Sequence, residues 1–246
     1  MDTNAILRRA GKFDKGYFEE IDSEPKAYWL GFVMGDGCVM WDEATGNYSL
    51  TVALQARDLP HLLLLTKDLG STKMPILDKR TASFRMVWYS KRLAQSLINL
   101  GVVPRKSIIG HPIPVITQAQ LVRHFWRGLF DADGCLAIQR KSNVSVPEYR
   151  FSLAGTRNLL AAFQEWAMQT TDLRPQKIGR ASNQNGYSRA HVIAISGNRQ
   201  IEALLYGMYF DSTRSLARKR KLFNDLVKQN AMVKPSYLRS YARPMV

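Results

Sequence analysis

Cysteine and histidine are scarce in this chain, two and four residues respectively out of 246, with no paired spacing among them. That excludes a disulfide framework and leaves zinc no ligand set. Acidic residues are few as well: 20 Asp plus Glu stand against 35 Lys plus Arg, a net charge of +15. Such an excess points to a polyanionic partner. No apolar run approaches the ~20 residues of a membrane-spanning helix, so the expected polyanion is nucleic acid and not lipid. The opening MDTNAILRRAGKF has no apolar core with a cleavage site, and an intracellular location is expected, in cytoplasm or nucleoid, or in the matrix if the gene is organelle-encoded. Hydrophobic residues make up 46% of the chain, enough to build proper cores.

What the chain does have is a motif written twice. Trp29 to Gly37 reads WLGFVMGDG, and Trp126 to Gly134 reads WRGLFDADG. Each copy places small residues four apart, Gly31 and Gly35 in the first, Gly128 and Ala132 in the second, inside an apolar helical segment. Small residues one turn apart let helix backbones approach closely, so the two segments are expected to form a helix interface. Each ends in Asp-Gly, which would bring Asp36 and Asp133 side by side. A carboxylate at a helix C-terminus meets negative partial charge, and two together repel. Neither helps the fold, and a hard divalent cation with oxygen ligands is the natural compensation. Gly37 and Gly134 are expected to be left-handed helix caps. A single Asp-Gly is an ordinary stop-and-turn signal; two copies on matched segments favour a site.

The acids lie 133 − 36 = 97 residues apart, the length of a duplicated small domain. After each acid comes a hairpin pattern: Cys38 to Trp41 with Tyr48 to Gln55, and Cys135 to Lys141 with Tyr149 to Ala154. A helix-like run follows, then a strand at Phe84 to Ser90 or Ala190 to Ser196, then another helix from Arg92 or Arg199. The fold class is therefore α+β, with two pseudo-symmetric αββαββα subdomains. In YSLTVALQ, Leu50, Val52 and Leu54 alternate with Ser49, Thr51, Ala53 and Gln55, so one face packs on helices and the other is open to bind. The boundaries expected are an N-terminal extension over 1–24, repeats over 25–110 and 121–230, a proline-bearing linker over 111–120 and a C-terminal tail over 231–246.

With these features together, the chain resembles the LAGLIDADG homing endonucleases of single-chain, two-motif type, over roughly Pro25 to Asn230. The second copy keeps even the DADG ending. Met34 departs from the usual acid, which Asp131 retains in the second copy, and Arg127 stands where a small residue is usual, at the edge of the helix interface. The resemblance implies two curved antiparallel sheets forming a saddle over double-stranded DNA, and a metal-dependent cut in both strands of a long asymmetric target. By carry-over, Asp36 and Asp133 are the catalytic, metal-binding acids, the carbonyls of Gly35 and Ala132 are further ligands, and two or more Mg²⁺ ions are expected. A basic residue after the last strand of a repeat is often near the active site in similar proteins; this chain has Lys91 in the first half and Asn198 in the second.

Sheet-face residues entering the major groove read sequence, and basic residues elsewhere hold phosphates. The DNA-contacting candidates are Gln55, Arg57, Arg85, Gln139, Arg140, Lys141 and Arg150, with Arg105, Lys106 and the cluster Arg218 to Lys221, including Lys219, as backbone-positioning charges. The chain is expected to act as a monomer without a membrane partner. Two other readings share the architecture: an RNA maturase that assists splicing of its intron, and a DNA-binding regulator without cleavage. Retention of both acids favours the nuclease, because a pure binder has no need of repelling carboxylates.

Overall fold

The computed structural model describes residues 12–104, 112–139, 146–171, 173–181 and 190–233. The chain divides into two compact units, Met1–Ala132 and Asp133–Val246. The division falls at the end of the second motif helix, twelve residues past the expected linker (132 − 120), because that helix packs within the first unit.

The first unit begins with α1 (Glu24–Asp36), which opens with a glutamate and a proline in its first turn, residues suited to a helix start. Ala27 to Gly35 are buried without a break, so α1 is apolar all round, the mark of a central helix. It runs directly into β1 (Gly37–Asp42), which turns back into β2 (Asn47–Gln55). Asp42 builds that turn: its Oδ1 accepts from the backbone of Ala44 and its Oδ2 from the Thr45 hydroxyl at 2.7 Å. A short 3₁₀ turn leads into α2 (Leu59–Asp68), then β3 (Ile76–Asp78), β4 (Ser83–Tyr89) and α3 (Lys91–Asn99), which Ser90 caps by accepting from Leu93 N. The sheet is antiparallel with strand order β1-β2-β4-β3. The last helix, α4 (Ala119–Asp133), reaches the unit boundary.

The second unit repeats this order from the first strand on and adds a final helix: β5 (Gly134–Gln139), β6 (Glu148–Gly155), α5 (Arg157–Thr171), β7 (Ile178–Arg180), β8 (His191–Ser196), α6 (Asn198–Tyr209) and α7 (Ala217–Val233). Its sheet runs β5-β6-β8-β7, the same topology. In both sheets the alternation works as expected. Val39, Leu50, Val52, Leu54, Met86 and Trp88 fill the first core, and Leu136, Phe151, Leu153, Ile193 and Ile195 the second. The register sets Gly37 opposite Val52 and Gly134 opposite Leu153, which confirms the two glycines as equivalent points of a duplication. Among the described residues, no helix is long and apolar enough to cross a membrane.

Gly37 is not a left-handed cap. Its backbone is extended, at φ −81 and ψ 151, and its N–H bonds to Val33 O as the helix passes straight into the strand. Glycine is required there by space: a Cβ would lie 2.5 Å from the Val33 carbonyl oxygen and 2.6 Å from its side chain.

Candidate active site

The site grows from the crossing of the two motif helices. A Cβ on Gly31 would sit 2.0 Å from the carbonyl oxygen of Phe125, and one on Gly128 would sit 1.9 Å from that of Tyr28. The contacts are reciprocal, since Gly31 also faces Leu129 N and Gly128 faces Phe32 N. This is the close backbone approach expected of the small residues. Each helix continues five residues past its crossing glycine (36 − 31 and 133 − 128) to an exposed aspartate. Gly35 is buried and Ala132 half-buried in the last turns.

Around the crossing lies a buried polar network that sequence reading did not anticipate. Arg127 is not at the edge of the interface: it is fully buried, bonded to Glu24 Oε1 at 2.7 Å and to His124 Nδ1 at 2.6 Å, with its guanidinium 5.1 Å from the Tyr28 ring. A charge with no exposure needs such partners. His124 accordingly stays neutral, its pKa pushed down to about 3 by burial first and by the Arg127 and Arg123 charges second. On the other side, Tyr28 donates its hydroxyl to Asp131 Oδ2 at 2.8 Å and bonds His61 Nε2 at 2.9 Å. With the hydroxyl proton given to Asp131, His61 is the donor in the second bond. Asp131 is thus a fully buried packing acid, and Met34, its counterpart, is an apolar core residue.

Lys91 is placed away from the acid. Its ammonium lies 5.0 Å from the Tyr48 ring and 5.5 Å from that of Trp41, the aromatic pair at the far end of the β1–β2 hairpin. Trp41 is four residues along β1 from Gly37, roughly 13 Å at the rise of a strand. Asn198 does the equivalent job in the second unit, accepting from Tyr149 N at 2.8 Å and donating to Pro147 O at 3.0 Å. Both residues fasten a helix start to a hairpin.

The cluster Arg218 to Lys221 is only partly a surface patch, with Arg218 and Lys221 exposed and Lys219 buried. Arg220 donates to Tyr209 O and Ser212 Oγ, and Lys221 pairs with Asp225 at 2.7 Å. Lys219 is 2% exposed, and its ammonium donates to the carbonyl oxygen of Gly134 at 2.6 Å. A buried cation therefore sits at the residue that follows Asp133. The pattern that reveals it is the stripe Leu216, Lys219, Phe223, Leu226, at helical spacing and buried throughout.

Of the sequence-read DNA contacts, Gln55 and Arg85 are exposed on the open face of the first sheet, and Gln139 and Arg150 on that of the second. Arg57 is exposed in the 3₁₀ turn, 4.0 Å from Asp58. Arg105, Lys106, Arg140 and Lys141 lie outside the described residues. Cys38 and Cys135, also on the open faces, are exposed and unpaired.

A strand–strand–helix–strand–strand–helix order occurring twice along the chain, each time preceded by an acid-ended helix, defines the LAGLIDADG homing endonuclease fold, and the chain has that fold. Among solved structures it is similar to the I-LtrWI LAGLIDADG homing endonuclease bound to target DNA, with a TM-score of 0.53 at 10% identity, covering 90% of this chain and 94% of that one. The LAGLIDADG meganuclease I-AabMI bound to uncleaved DNA gives 0.57 at 15% identity over 86% and 92%. The LAGLIDADG homing endonuclease I-GzeII in complex with its DNA target gives 0.57 at 10% identity, again over 86% and 92%. No family model and no curated protein matches the chain.

Proposed function

We propose that the chain is a single-chain, site-specific DNA endonuclease that makes a Mg²⁺-dependent double-strand break in a long asymmetric target. The observation that carries this reading is the exposed carboxylate at the end of each motif helix, Asp36 and Asp133, immediately ahead of the first strand of an open sheet. A carboxylate in that position opposes the helix dipole, which a bound cation reverses. Among the described residues no cluster of three or more His, Cys, Asp or Glu side chains could hold a metal. The donors that fit are one carboxylate per motif with the backbone carbonyls of Gly35 and Ala132, and hard, water-retaining Mg²⁺ accepts a set this sparse. When bound, the metal supplies charge neutralisation at the phosphate and a water of lowered pKa.

The protein's own residues do the rest. Asp36 and Asp133 hold the ions, and the helix crossing at Gly31 and Gly128 fixes the direction of both acid-bearing turns. Lys219 replaces Lys91 as the basic residue of the site: its ammonium, held at the Gly134 carbonyl, offsets negative charge on a phosphate drawn to Asp133. The net charge of +15 brings DNA to the open sheet faces.

The test is cleavage, in Mg²⁺, of the DNA that flanks the gene in its uninterrupted allele. Parent protein is expected to give a double-strand break, and Asp36→Asn and Asp133→Asn are expected to bind the same DNA without cutting it. Full cleavage by both variants overturns the assignment of the acids. Absence of cleavage by the parent, with tight binding to its own intron RNA, would replace the nuclease with the maturase.

A further inference from the structure

We propose that Arg85 and Arg150 are the guanine-reading residues of the two sheets, and that they read guanines at non-equivalent places in the two half-sites. The inference rests on the DNA reading above and adds to it which bases are read and where. Both arginines are exposed on open sheet faces, and neither makes a hydrogen bond or an ion pair among the described residues. Three other arginines are already committed. Arg92 is bound bidentately by Glu19, Arg127 by Glu24, and Arg220 by the Tyr209 carbonyl and Ser212.

The surroundings suit base edges. The cross-strand neighbours of Arg85 are Ala53 and Ile76, and those of Arg150 are Ala137 and Ser196. Glu148, two residues before Arg150 on the same face, is half-buried and makes no ion pair with it. A guanidinium fork between short side chains can reach the O6 and N7 acceptors of guanine, and the alanines leave room for thymine methyl groups.

The duplication shows that the two positions do not correspond. In the first unit, Gly37, Val52 and Met86 form one row across the sheet; Gly134, Leu153 and Ile193 form the matching row in the second. Arg85 lies one row to one side of its reference, paired with Ala53, and Val192 holds that place in the second unit. Arg150 lies three rows to the other side, paired with Ala137, and Ser49 holds that place in the first. The offset is four rows, about 14 Å along the strands. A palindromic site cannot satisfy both arginines.

The test is selection of bound sequences from a randomised duplex library by the full chain and by Arg85→Ala, Arg150→Ala and the corresponding lysine variants. Parent protein is expected to enrich one guanine in each half-site at positions that are not mirror images. Each alanine variant is expected to lose roughly 10- to 100-fold of the preference at one of those positions only. Lysine, which keeps charge but lacks the fork, is expected to restore affinity without restoring the full guanine preference. Unchanged preferences in both alanine variants, a uniform loss across all sequences, or mirror-related guanines overturn the inference and leave the endonuclease reading standing. Failure of the parent protein to enrich any sequence overturns the DNA reading and this inference with it.

Discussion

Tyr28, on the first motif helix, gives its hydroxyl proton to Asp131 on the second, at 2.8 Å and wholly out of solvent. The bond joins the two helices two residues before Asp133, and its counterpart to His61 joins them to α2. Removing the hydroxyl leaves a buried carboxylate short of a donor, so Tyr28→Phe is expected to lower stability by about 1–3 kcal/mol. Urea unfolding measures this. In the double variant Tyr28→Phe/Asp131→Leu the loss is expected to be smaller than the sum of the two single losses, because the unsatisfied acid is gone. Strict additivity would show that the two residues do not interact.

The helix crossing makes a sharper demand. Gly31→Ala and Gly128→Ala each put a Cβ about 2 Å from a carbonyl oxygen of the opposite backbone, which no side-chain rotation relieves. The backbones must separate, and each substitution is expected to cost ~3 kcal/mol or more, at the upper end of overpacking effects. Gly179→Ala is the control, since among the described residues nothing lies within 4 Å of its Cβ position. Its unfolding midpoint is expected to match that of the parent protein. A tolerated Gly31→Ala would mean the helices are not packed this closely.

Much of this was legible in the sequence because period and repetition carried it. The alternation at Leu50, Val52 and Leu54 fixed which sheet face is buried, and the 97-residue spacing fixed the duplication. The short strands β3 and β7 were not legible: three residues each carry too little pattern, and Ile76 and Leu77 are exposed, so pairing with β4 and not burial defines β3. Gly37 is required by close approach and not by conformational freedom, and an Asp-Gly pair at a helix end does not distinguish the two. Arg127 and Lys219 were misplaced for a common reason. A charged side chain in a basic or helical run is read as solvated, and only its register with apolar neighbours three or four residues away shows that it is buried.

His124 gives the fold a defined response to acid. In the folded protein its imidazole accepts a hydrogen bond from Arg127 and does not take a proton until about pH 3, whereas the unfolded chain protonates it below about pH 6.5. The unfolded state therefore binds more protons between those limits, and stability present above pH 6.5 is lost as pH falls toward 3. The carboxylates held below their usual range, Glu19, Asp22 and Asp42, act in the same direction but only below about pH 4.5. Glu202, whose carboxyl is pushed up by burial, acts in the opposite direction, so it is the comparison of parent with a His124 variant between pH 7 and 5 that isolates the histidine. The decline over that window is expected to flatten in His124→Gln, which still offers Arg127 an acceptor. An equal decline in parent and variant would remove His124 as its source.

Lys219 separates catalysis from binding. Its ammonium is committed to the Gly134 carbonyl and is 2% exposed, so it acts on a phosphate at Asp133 through its charge and not by direct contact, whereas Arg218 beside it is exposed. Lys219→Met keeps an aliphatic side chain in the stripe of Leu216, Phe223 and Leu226 and removes the charge. Folding is expected to be preserved, since a buried ammonium pays a desolvation cost that methionine does not. Cleavage is expected to fall by about 10²- to 10³-fold, the scale for loss of one preorganised electrostatic contact. The salt dependence of DNA binding should stay as in the parent protein, while Arg218→Ala should reduce its slope by about one unit and leave cleavage of bound DNA intact. The reverse pattern, a reduced salt slope with unimpaired cleavage in Lys219→Met, would return Lys219 to the backbone-positioning charges and leave Asp133 without a cationic neighbour in the reaction.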